Sequence, residues 1–293
     1  MTGIAAALSV VREPDRFPDP FPPRFASAWG DDPYGLWADL YLPGGAATAE
    51  PVVQRLRWIE PGRFRMGSSA DEPERRENEG PQHWVTLTRG FWLADTACSQ
   101  EFWQAVTGSN PSRFKGPDRP VEKVNWNDVQ DFLRRLEELV PGCGADLPTE
   151  AEWEYACRAG TETAFNCGPA LTPDQANFDE AAKGTVPVRR FPPNRWGLYQ
   201  MHGNVWEWCA DGPRGYGDEP VTDPRGPLES NRPRVIRGGA WFLLAGYARS
   251  ADRNAFHPGD AYVRDFLGFR LCLRSIESSQ GRPGGPAGWS PGG

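Results

Sequence analysis

The positions of apolar residues along the chain predict strands in two stretches. Residues 54–66 and 84–93 carry alternating or nearly alternating apolar and polar residues, and Pro and Gly bound both stretches. A period of two residues is typical of a strand that buries one face. The pattern therefore predicts two β-strands in the first third of the chain.

Three short helices are predicted from residues that cap helix ends. Ser99 precedes an apolar pattern that stops at Gly108, and Asn125 precedes a second pattern with apolar residues at helical spacing. Thr149 and Glu152 form a capping box at the start of a third helix. No fixed-period repeat occurs and much of the second half is irregular, so the chain is expected to adopt an α+β fold with long loops.

The two ends of the chain differ from its middle. Residues 1–50 begin Pro-rich and continue through several Trp and Tyr residues to a Pro-Gly-Gly break. This composition predicts an extended arm whose aromatic side chains dock on the main domain. Residues 276–293 are rich in Ser, Gly and Pro, which predicts a disordered tail. Residues 51–275 between them are expected to form a single domain.

Composition and charge exclude several classes of protein. The 33 Gly and 30 Pro among 293 residues interrupt the backbone too often for a coiled coil or a helical repeat. The formal net charge of −7 gives no electrostatic drive toward nucleic acid, so we expect no nucleic-acid partner. Six cysteines are scattered without a CxxC pair, which predicts buried thiols rather than a zinc knuckle or a disulfide framework.

No stretch of the sequence predicts membrane insertion or secretion. The apolar run at 3–11 is too short to span a bilayer, and it lacks the basic residues and the cleavage site of a signal peptide. The location is therefore open, because a phage particle, the cell surface and the cytoplasm all suit such a chain.

Five separated phrases occur together in a known protein family. They are GRFRMGS at 62–68, LPTEAEWEYA at 147–156, GLY and GNVWEW within 197–208, RGGAW at 237–241 and GFRL at 268–271. In this order they closely resemble the formylglycine-generating-enzyme, or sulfatase-modifying-factor, superfamily. The resemblance implies a C-type-lectin-like fold, in which short helices surround small antiparallel sheets and tryptophans pack long loops.

The resemblance does not extend to copper chemistry. Catalytic members of the superfamily bind Cu(I) through two cysteines soon after the Gly-Gly phrase, because a soft cation needs thiolate ligands. Here Leu243 stands near the place of the first cysteine, and no Cys occurs between Cys209 and Cys272. We therefore predict that the protein is not an enzyme. A metal-dependent oxidoreductase that lacks the usual copper cysteines remains an alternative.

The histidines do not predict an iron site. Another branch of the superfamily holds non-haem iron through histidines, usually of an attached helical domain. This chain has only His83, His202 and His257, with no closely spaced pair of His and carboxylate. A hydrogen-bonded structural histidine is the expected role at such positions, with a catalytic base as the alternative.

A structural Ca²⁺ ion is the one cofactor that the resemblance permits. Family members often hold calcium with oxygens that here match Gln200, Gly203, Val205 and Glu207. Oxygen-rich sets of this kind suit a hard cation. The alternative is that Glu207 accepts hydrogen bonds from the backbone or from an arginine.

The stretch 242–267 has the composition of a loop but carries core-sized apolar side chains. It contains no Trp, Glu, Gln, Lys or Met, and every residue in it can be encoded by a codon that ends in C. This pattern resembles the variable proteins of diversity-generating retroelements, in which adenine-directed randomisation of AAC codons diversifies such a segment. Asn254 would be an unmutated position, and Arg249, Arg253 and Pro258 would be fixed framework.

We therefore predict a non-catalytic display protein, expected to be a monomer, that binds a protein or another macromolecular ligand through a hypervariable surface. Aromatic side chains would anchor the ligand, while Asp and Asn would orient it. An ordinary non-catalytic homologue of the family is the alternative. The predicted ligand-binding residues are Phe242, Leu243, Leu244, Tyr247, Asp252, Asn254, Phe256, Tyr262, Asp265 and Phe266.

Overall fold

In the computed structural model, the residues that the structure describes are 18–44, 50–260 and 264–274. The predictions for residues 1–17, for the tail at 276–293 and for Tyr262 lie outside these ranges. The described strands are β1 (Ala26–Asp32), β2 (Gly35–Leu42), β3 (Val52–Ile59), β4 (Gly62–Met66), β5 (His83–Leu87), β6 (Phe91–Ala94), β7 (Ala145–Asp146), β8 (Trp206–Trp208), β9 (Val221–Thr222), β10 (Arg234–Arg237), β11 (Arg253–Phe256), β12 (Leu267–Phe269) and β13 (Cys272–Leu273). The α-helices are α1 (Gln100–Thr107), α2 (Trp126–Leu139) and α3 (Glu150–Arg158).

The described strands form three small sheets. The first has six antiparallel strands in the order β1-β2-β3-β6-β13-β7. The second has the order β11-β10-β8-β12, with β8 and β12 parallel, and the third has the order β4-β5-β9. The last strands of the described chain thus pair with strands from its first and middle parts. The long loops between these strands are fixed at both ends by sheet pairing.

Each of the two predicted strands is a pair of strands. The stretch 54–66 is divided into β3 and β4 at Glu60-Pro61, and the stretch 84–93 is divided into β5 and β6 near Gly90. A Cβ atom at Gly90 would lie 2.2 Å from the indole of Trp58, so only glycine fits where this strand pair bends. The alternating pattern located the strands, but it did not show the change of sheet within each stretch.

The three predicted helices are confirmed, together with their caps. The side chain of Ser99 accepts a hydrogen bond from the amide of Phe102, and Gly108 ends α1 in the left-handed conformation with φ 81°. The hydroxyl of Thr149 accepts from the amide of Glu152 at 3.2 Å, while the Glu152 carboxylate accepts from the Thr149 amide at 2.7 Å. This reciprocal pair fixes the first turn of α3, which carries Glu150, the buried ion-pair partner of Arg253.

Tryptophans of the family phrases fill the core, as expected from the sequence. Trp206 and Trp208 point to one side of β8 and pack in the main apolar cluster, while Trp153 of α3 is fully buried in a second cluster. At Gly239, with φ 76°, a Cβ atom would lie 2.9 Å from the Cα atom of Ala248. The Gly-Gly phrase therefore lets two backbone segments approach each other closely.

The predicted N-terminal arm is a β-hairpin in the described residues. Strands β1 and β2 pair from Asp32 with Gly35 to Ala26 with Leu40, and β2 joins β3 in the six-stranded sheet. Trp29 is 52% exposed, so the expectation that the arm's aromatic residues dock on the domain holds only in part. The apolar side of the hairpin is supplied instead by Ala38 and other small or aliphatic residues of β2.

Candidate ligand-binding surface

Buried ion pairs fix the backbone of the segment 242–267. Arg249 follows a 3₁₀ turn at Ala245–Ala248. Its Nη2 donates to Glu79 Oε1 at 2.6 Å, and its Nη1 donates to Glu72 Oε1 at 2.8 Å. The Arg249 side chain is 2% exposed and that of Glu79 is 0% exposed, so removal of Arg249 would leave the Glu79 carboxylate buried and unpaired. The sequence prediction that Arg249 is a framework residue agrees with this position.

A second set of arginines ties the same segment to helix α3. Arg253 on β11 donates from Nε to Glu150 Oε1 at 2.6 Å. Arg237 on β10 donates to the backbone carbonyl of Asp252 and to the carboxylate of Glu154. Both carboxylates belong to α3 and are fully buried. Buried carboxylates about a hundred residues earlier in the chain therefore hold the backbone of the segment in place.

The structure brings most of the predicted binding residues to partly open positions. Leu244 is 58% exposed and Asn254 is exposed. Five apolar residues of the set are half-buried and rest on the main core, and Asp265 is half-buried in an ion pair with Arg113. We name the eight partly open residues the loop surface. It consists of Phe242, Leu243, Leu244, Tyr247, Asn254, Phe256, Asp265 and Phe266.

A row of aromatic rings forms one side of the loop surface. The ring of Phe242 lies 4.9 Å from that of Phe266 and 5.3 Å from that of Trp241, centroid to centroid. Trp241 in turn contacts Phe114 at 5.5 Å, in an edge-to-face arrangement. Edge-to-face rings pack more stably than their buried area alone accounts for. The half-buried aromatics thus form a connected row rather than isolated side chains.

Residues outside the predicted set also shape this surface. The amides of Asp179 and Glu180 donate to the carbonyls of Leu243 and Trp241 at 2.8 and 2.9 Å. Phe114 belongs to a loop more than a hundred residues before the segment. Sequence reasoning missed these three residues, because no local pattern links a loop to a partner so distant in the chain.

Asp252 is the predicted binding residue that the structure corrects. Its side chain is 0% exposed, so it does not belong to the loop surface. Neither carboxylate oxygen has a hydrogen-bond donor among the described residues, although Arg76 Nε lies 3.3 Å from Oδ1. Burial raises the pKa of this carboxyl to about 7. Asp252 lies between Arg249 and Arg253, whose side chains are buried, and its own side chain is buried with them.

The predicted calcium ligands have other partners. Both oxygens of Glu207 accept from Arg270, at 2.8 and 3.0 Å, and one of them also accepts from the indole of Trp153 at 2.7 Å. The side-chain oxygen of Gln200 accepts from Asn204 at 2.6 Å. The alternative interpretation, in which Glu207 pairs with an arginine, is the one that the structure shows.

The remaining residues of the predicted calcium set do not fit the ion. Gly203 and Val205 offer only backbone carbonyls, and the one carboxylate of the set is neutralised by Arg270. A hard dication needs several oxygens with net negative charge. Across ranges 18–44, 50–260 and 264–274, no group of three or more His, Cys, Asp or Glu side chains is arranged to hold a metal ion.

Most of the described thiols and imidazoles are buried, and His257, next to Phe256, is the exposed histidine. Five cysteines are buried and Cys167 is exposed. His202 is buried, its Nδ1 donates to the carbonyl of Ala248 at 2.7 Å, and its Nε2 accepts from the amide of Asn166 at 3.0 Å. Burial lowers its pKa to about 4, so it is a neutral structural histidine. No helix in the described part of the chain is long and apolar enough to cross a membrane.

Comparison with known sequences places the domain in a family. Residues 45–275 match the model of the sulfatase-modifying factor enzyme 1-like domain. The formylglycine-generating enzyme of Streptomyces coelicolor is 32% identical over 238 residues, which cover 72% of this chain and 72% of that protein. The Thermomonospora curvata enzyme of the same name is 37% identical over 205 residues, which cover 62% of this chain and 63% of that one. A Mus musculus relative named inactive C-alpha-formylglycine-generating enzyme 2 is 31% identical over 198 residues, which cover 62% of this chain and 56% of that protein.

Solved structures of the same fold are also similar. Treponema denticola variable protein 1 superposes with a TM-score of 0.66 at 28% identity, over 80% of this chain and 99% of that one. PvdO from Pseudomonas aeruginosa superposes with a TM-score of 0.63 at 26% identity, over 85% of this chain and 98% of that one. The short helices, the small sheets and the long loops packed by tryptophan agree with these similarities. The chain therefore belongs to the sulfatase-modifying factor enzyme 1-like family and has its C-type-lectin-like α+β fold.

Proposed function

We propose that this protein is a non-catalytic binding protein that displays a variable surface, of the type diversified by retroelements. The observation that carries the proposal is the contrast within the segment 242–267. Its arginines at 249 and 253 are buried in ion pairs, while apolar side chains such as Leu244 and Phe256 are exposed or half-buried. A backbone that buried ion pairs hold in place can present many different side chains without loss of the fold.

The chemistry of the loop surface suits recognition of another macromolecule. Aromatic rings offer large contact areas at a low cost in conformational entropy, and Asn254 and Asp265 add polar groups that orient a ligand. The similarity to Treponema denticola variable protein 1 supports the same role. The ligand would be a protein or another macromolecule, and the protein would bind it as a monomer.

A non-catalytic role agrees with the chemistry of the segment. Leu243 stands near the first copper cysteine of catalytic relatives, and its side chain cannot bind Cu(I). A family relative has a name that describes it as inactive, which supports a non-catalytic use of the fold. The half-buried hydrocarbon at this position would contribute to ligand contact rather than to oxidation chemistry.

Paired libraries of this protein test the proposal. One library randomises Leu243, Leu244, Asn254, Phe256 and Asp265, and a matched library randomises five framework positions of the same segment. The framework positions are Ala248, Arg249, Ala251, Arg253 and Pro258, all buried. We expect most members of the first library to fold and resist protease, and most members of the second to unfold, because surface changes cost little and unpaired buried charges cost several kcal/mol.

Two further results decide between display and an ordinary homologue. Selection of the first library against an unrelated protein should yield binders. The neighbouring DNA should contain a near-copy of the codons for 242–267 that differs only where the copy has adenine, beside a reverse transcriptase gene. Equal loss of folding in both libraries would overturn the display role, and absence of the DNA repeat would favour an ordinary non-catalytic homologue.

A further inference from the structure

A polar cavity lies on the six-stranded sheet, apart from the loop surface. It has a volume of about 330 Å³, and its charged and phenolic lining residues are Asp39, Arg55, Arg57, Asp95, Arg189 and Tyr199. None of these belongs to the segment 242–267. Arg55 and Arg57 alternate with Leu56 along β3, so both point to the face of the strand opposite the main core.

The lining of the cavity carries more guanidinium groups than carboxylates. Three guanidinium groups line it, against the two carboxylates of Asp39 and Asp95. A third carboxylate, that of Asp32, lies outside the lining and accepts from Arg57 at 2.7 Å, so each of the three arginines has one aspartate partner. These three ion pairs are balanced in charge, so an anion would be attracted by N–H donors that the pairs leave free rather than by net charge.

Each arginine is held on one side by an aspartate. Arg55 donates to both oxygens of Asp39, at 2.8 and 3.0 Å. Arg57 Nη1 donates to Asp32 at 2.7 Å. Arg189 Nη2 donates to Asp95 at 2.6 Å. A guanidinium has more N–H donors than one carboxylate can use, so each arginine keeps donors that these pairs do not satisfy.

Arg57 shows the shortage of acceptors directly. Its side chain is 6% exposed, and its Nε has no hydrogen-bond partner among the described residues. A buried donor without an acceptor is unfavourable, and an oxyanion in the neighbouring cavity would supply acceptor oxygens for the group. The buried guanidinium of Arg57, which lines the cavity and has an unused donor, is therefore the observation that points to an anionic ligand.

Aromatic rings fix the directions of the three guanidinium groups. The guanidinium carbon of Arg55 lies 3.9 Å from the ring centroid of Trp37, and that of Arg57 lies 5.3 Å from Tyr34. Arg189 lies over Tyr199 at 5.5 Å. Stacking and ion pairing together restrict the arginines before any ligand arrives, which lowers the entropic cost of binding.

The hairpin that lies N-terminal to the family match builds part of this site. Asp32, Tyr34, Trp37 and Asp39 all belong to the hairpin, whereas the family model matches from residue 45. Arg55 and Arg57 belong to the matched domain. Their ion-pair partners, Asp39 and Asp32, belong to the hairpin. The hairpin thus gives this chain a constellation that the matched domain alone does not contain.

We propose that this cavity binds a phosphate-sized oxyanion, either as a soluble phosphoryl compound or as the phosphate of a lipid head group. Arg55, Arg57 and Arg189 donate to its oxygens. Arginine suits this task because its planar fork of donors matches the oxygens of a phosphoryl group. Tyr199 closes one side of the cavity beneath Arg189. The site is independent of the loop surface, so it would be present whatever ligand that surface recognises.

Pyrophosphate titration at constant ionic strength tests the proposal, with isothermal calorimetry and ³¹P NMR as readouts. Arg189→Gln removes one donor at a half-exposed position, and its melting temperature is compared with that of the natural protein because the buried Asp95 loses its ion-pair partner. Arg190→Gln is the matched control, because the neighbouring Arg190 is exposed and does not line this cavity. We expect R189Q to weaken binding by about tenfold or more. R190Q should change it by less than about twofold.

A vesicle experiment separates the two sources of the phosphate. Co-sedimentation is measured with phosphatidylcholine vesicles that contain or lack phosphatidic acid. Pyrophosphate binding that R189Q weakens supports a soluble phosphoryl ligand. Co-sedimentation with phosphatidic acid that R189Q abolishes, without pyrophosphate binding, supports a lipid head group. Equal effects of R189Q and R190Q, or binding of neither probe, would overturn the proposal.

Discussion

A fully buried carboxyl group without a hydrogen-bond donor is more stable in its protonated form, and Asp252 is such a group. The charged and titratable groups around it are Arg76 from the loop before β5, Glu79, Arg249 after the 3₁₀ turn, and Arg237 on β10. Its pKa in the folded protein is about 7, against an ordinary value of 3.8. At neutral pH, Asp252 is therefore not fully ionised, so it does not supply a full negative charge beside the arginines of the segment.

The raised pKa predicts a loss of stability toward alkaline pH. Because the folded value lies above the unfolded value, the contribution of Asp252 is complete below about pH 4 and is lost as the pH rises through about 7. The size of the effect is on the order of 4 kcal/mol above that range. Asp252→Asn, which imitates the protonated acid, should be more stable than the natural protein at about pH 8, and this advantage should shrink as the pH falls and vanish below about pH 4.

Urea unfolding followed by fluorescence measures this difference at both pH values. Asp260→Asn is the control, since Asp260 is exposed in the same segment. The control should show no pH-dependent difference from the natural protein. A D252N variant that is destabilised equally at both pH values would show that the carboxylate is needed in its charged form.

At the scale of elements, helix α3 connects the framework to the loop surface. Its Glu150 and Glu154 pair with arginines at 253 and 237, and its first turn depends on the capping box of Thr149 and Glu152. Loosening this turn would loosen the carboxylates that hold the segment. The helix is short, so its cap accounts for a large part of its local order.

Thr149→Ala should therefore have a local as well as a global effect. Loss of the cap is expected to cost about 1 kcal/mol of stability. Hydrogen exchange followed by mass spectrometry should show faster exchange at 249–256, the part of the segment that pairs with α3 and β10. Ser99→Ala removes the cap of α1 at a similar global cost and should leave exchange at 249–256 unchanged. Equal acceleration in both variants would mean that α3 does not hold the segment specifically.

At the scale of the whole molecule, the sequence predicts the framework better than the surface. The caps at Ser99 and Thr149 and the buried Trp206 and Trp208 are local features, and all are found as expected. The family phrases likewise locate the segment between two fixed arginine-containing elements. These features depend on neighbours in sequence or on motifs, which one sequence can show.

Features that depend on distant pairing were not predictable. The partner of Glu207 is Arg270, which lies 63 residues away, and the contact decides between a calcium ligand and an ion pair. The burial of Asp252 depends on the path of β11 beside β10. The conversion of an aromatic arm into a hairpin depends on the free edge of β3, to which β2 pairs. In each case the deciding contact is between elements, so composition and periodicity do not contain it.

The distribution of all six thiols predicts that the molecule does not bind copper as catalytic relatives do. Burial raises the pKa of Cys143 and Cys157 to about 12, so neither is a ready thiolate, and Cys167 is the exposed thiol among the six. A single exposed thiol cannot supply the paired thiolates that Cu(I) needs. Titration with Cu(I) against a chromogenic competitor should therefore show no tight stoichiometric site. Weak uptake, where present, should disappear in Cys167→Ser, whereas tight binding that survives this substitution would restore the metal-dependent alternative.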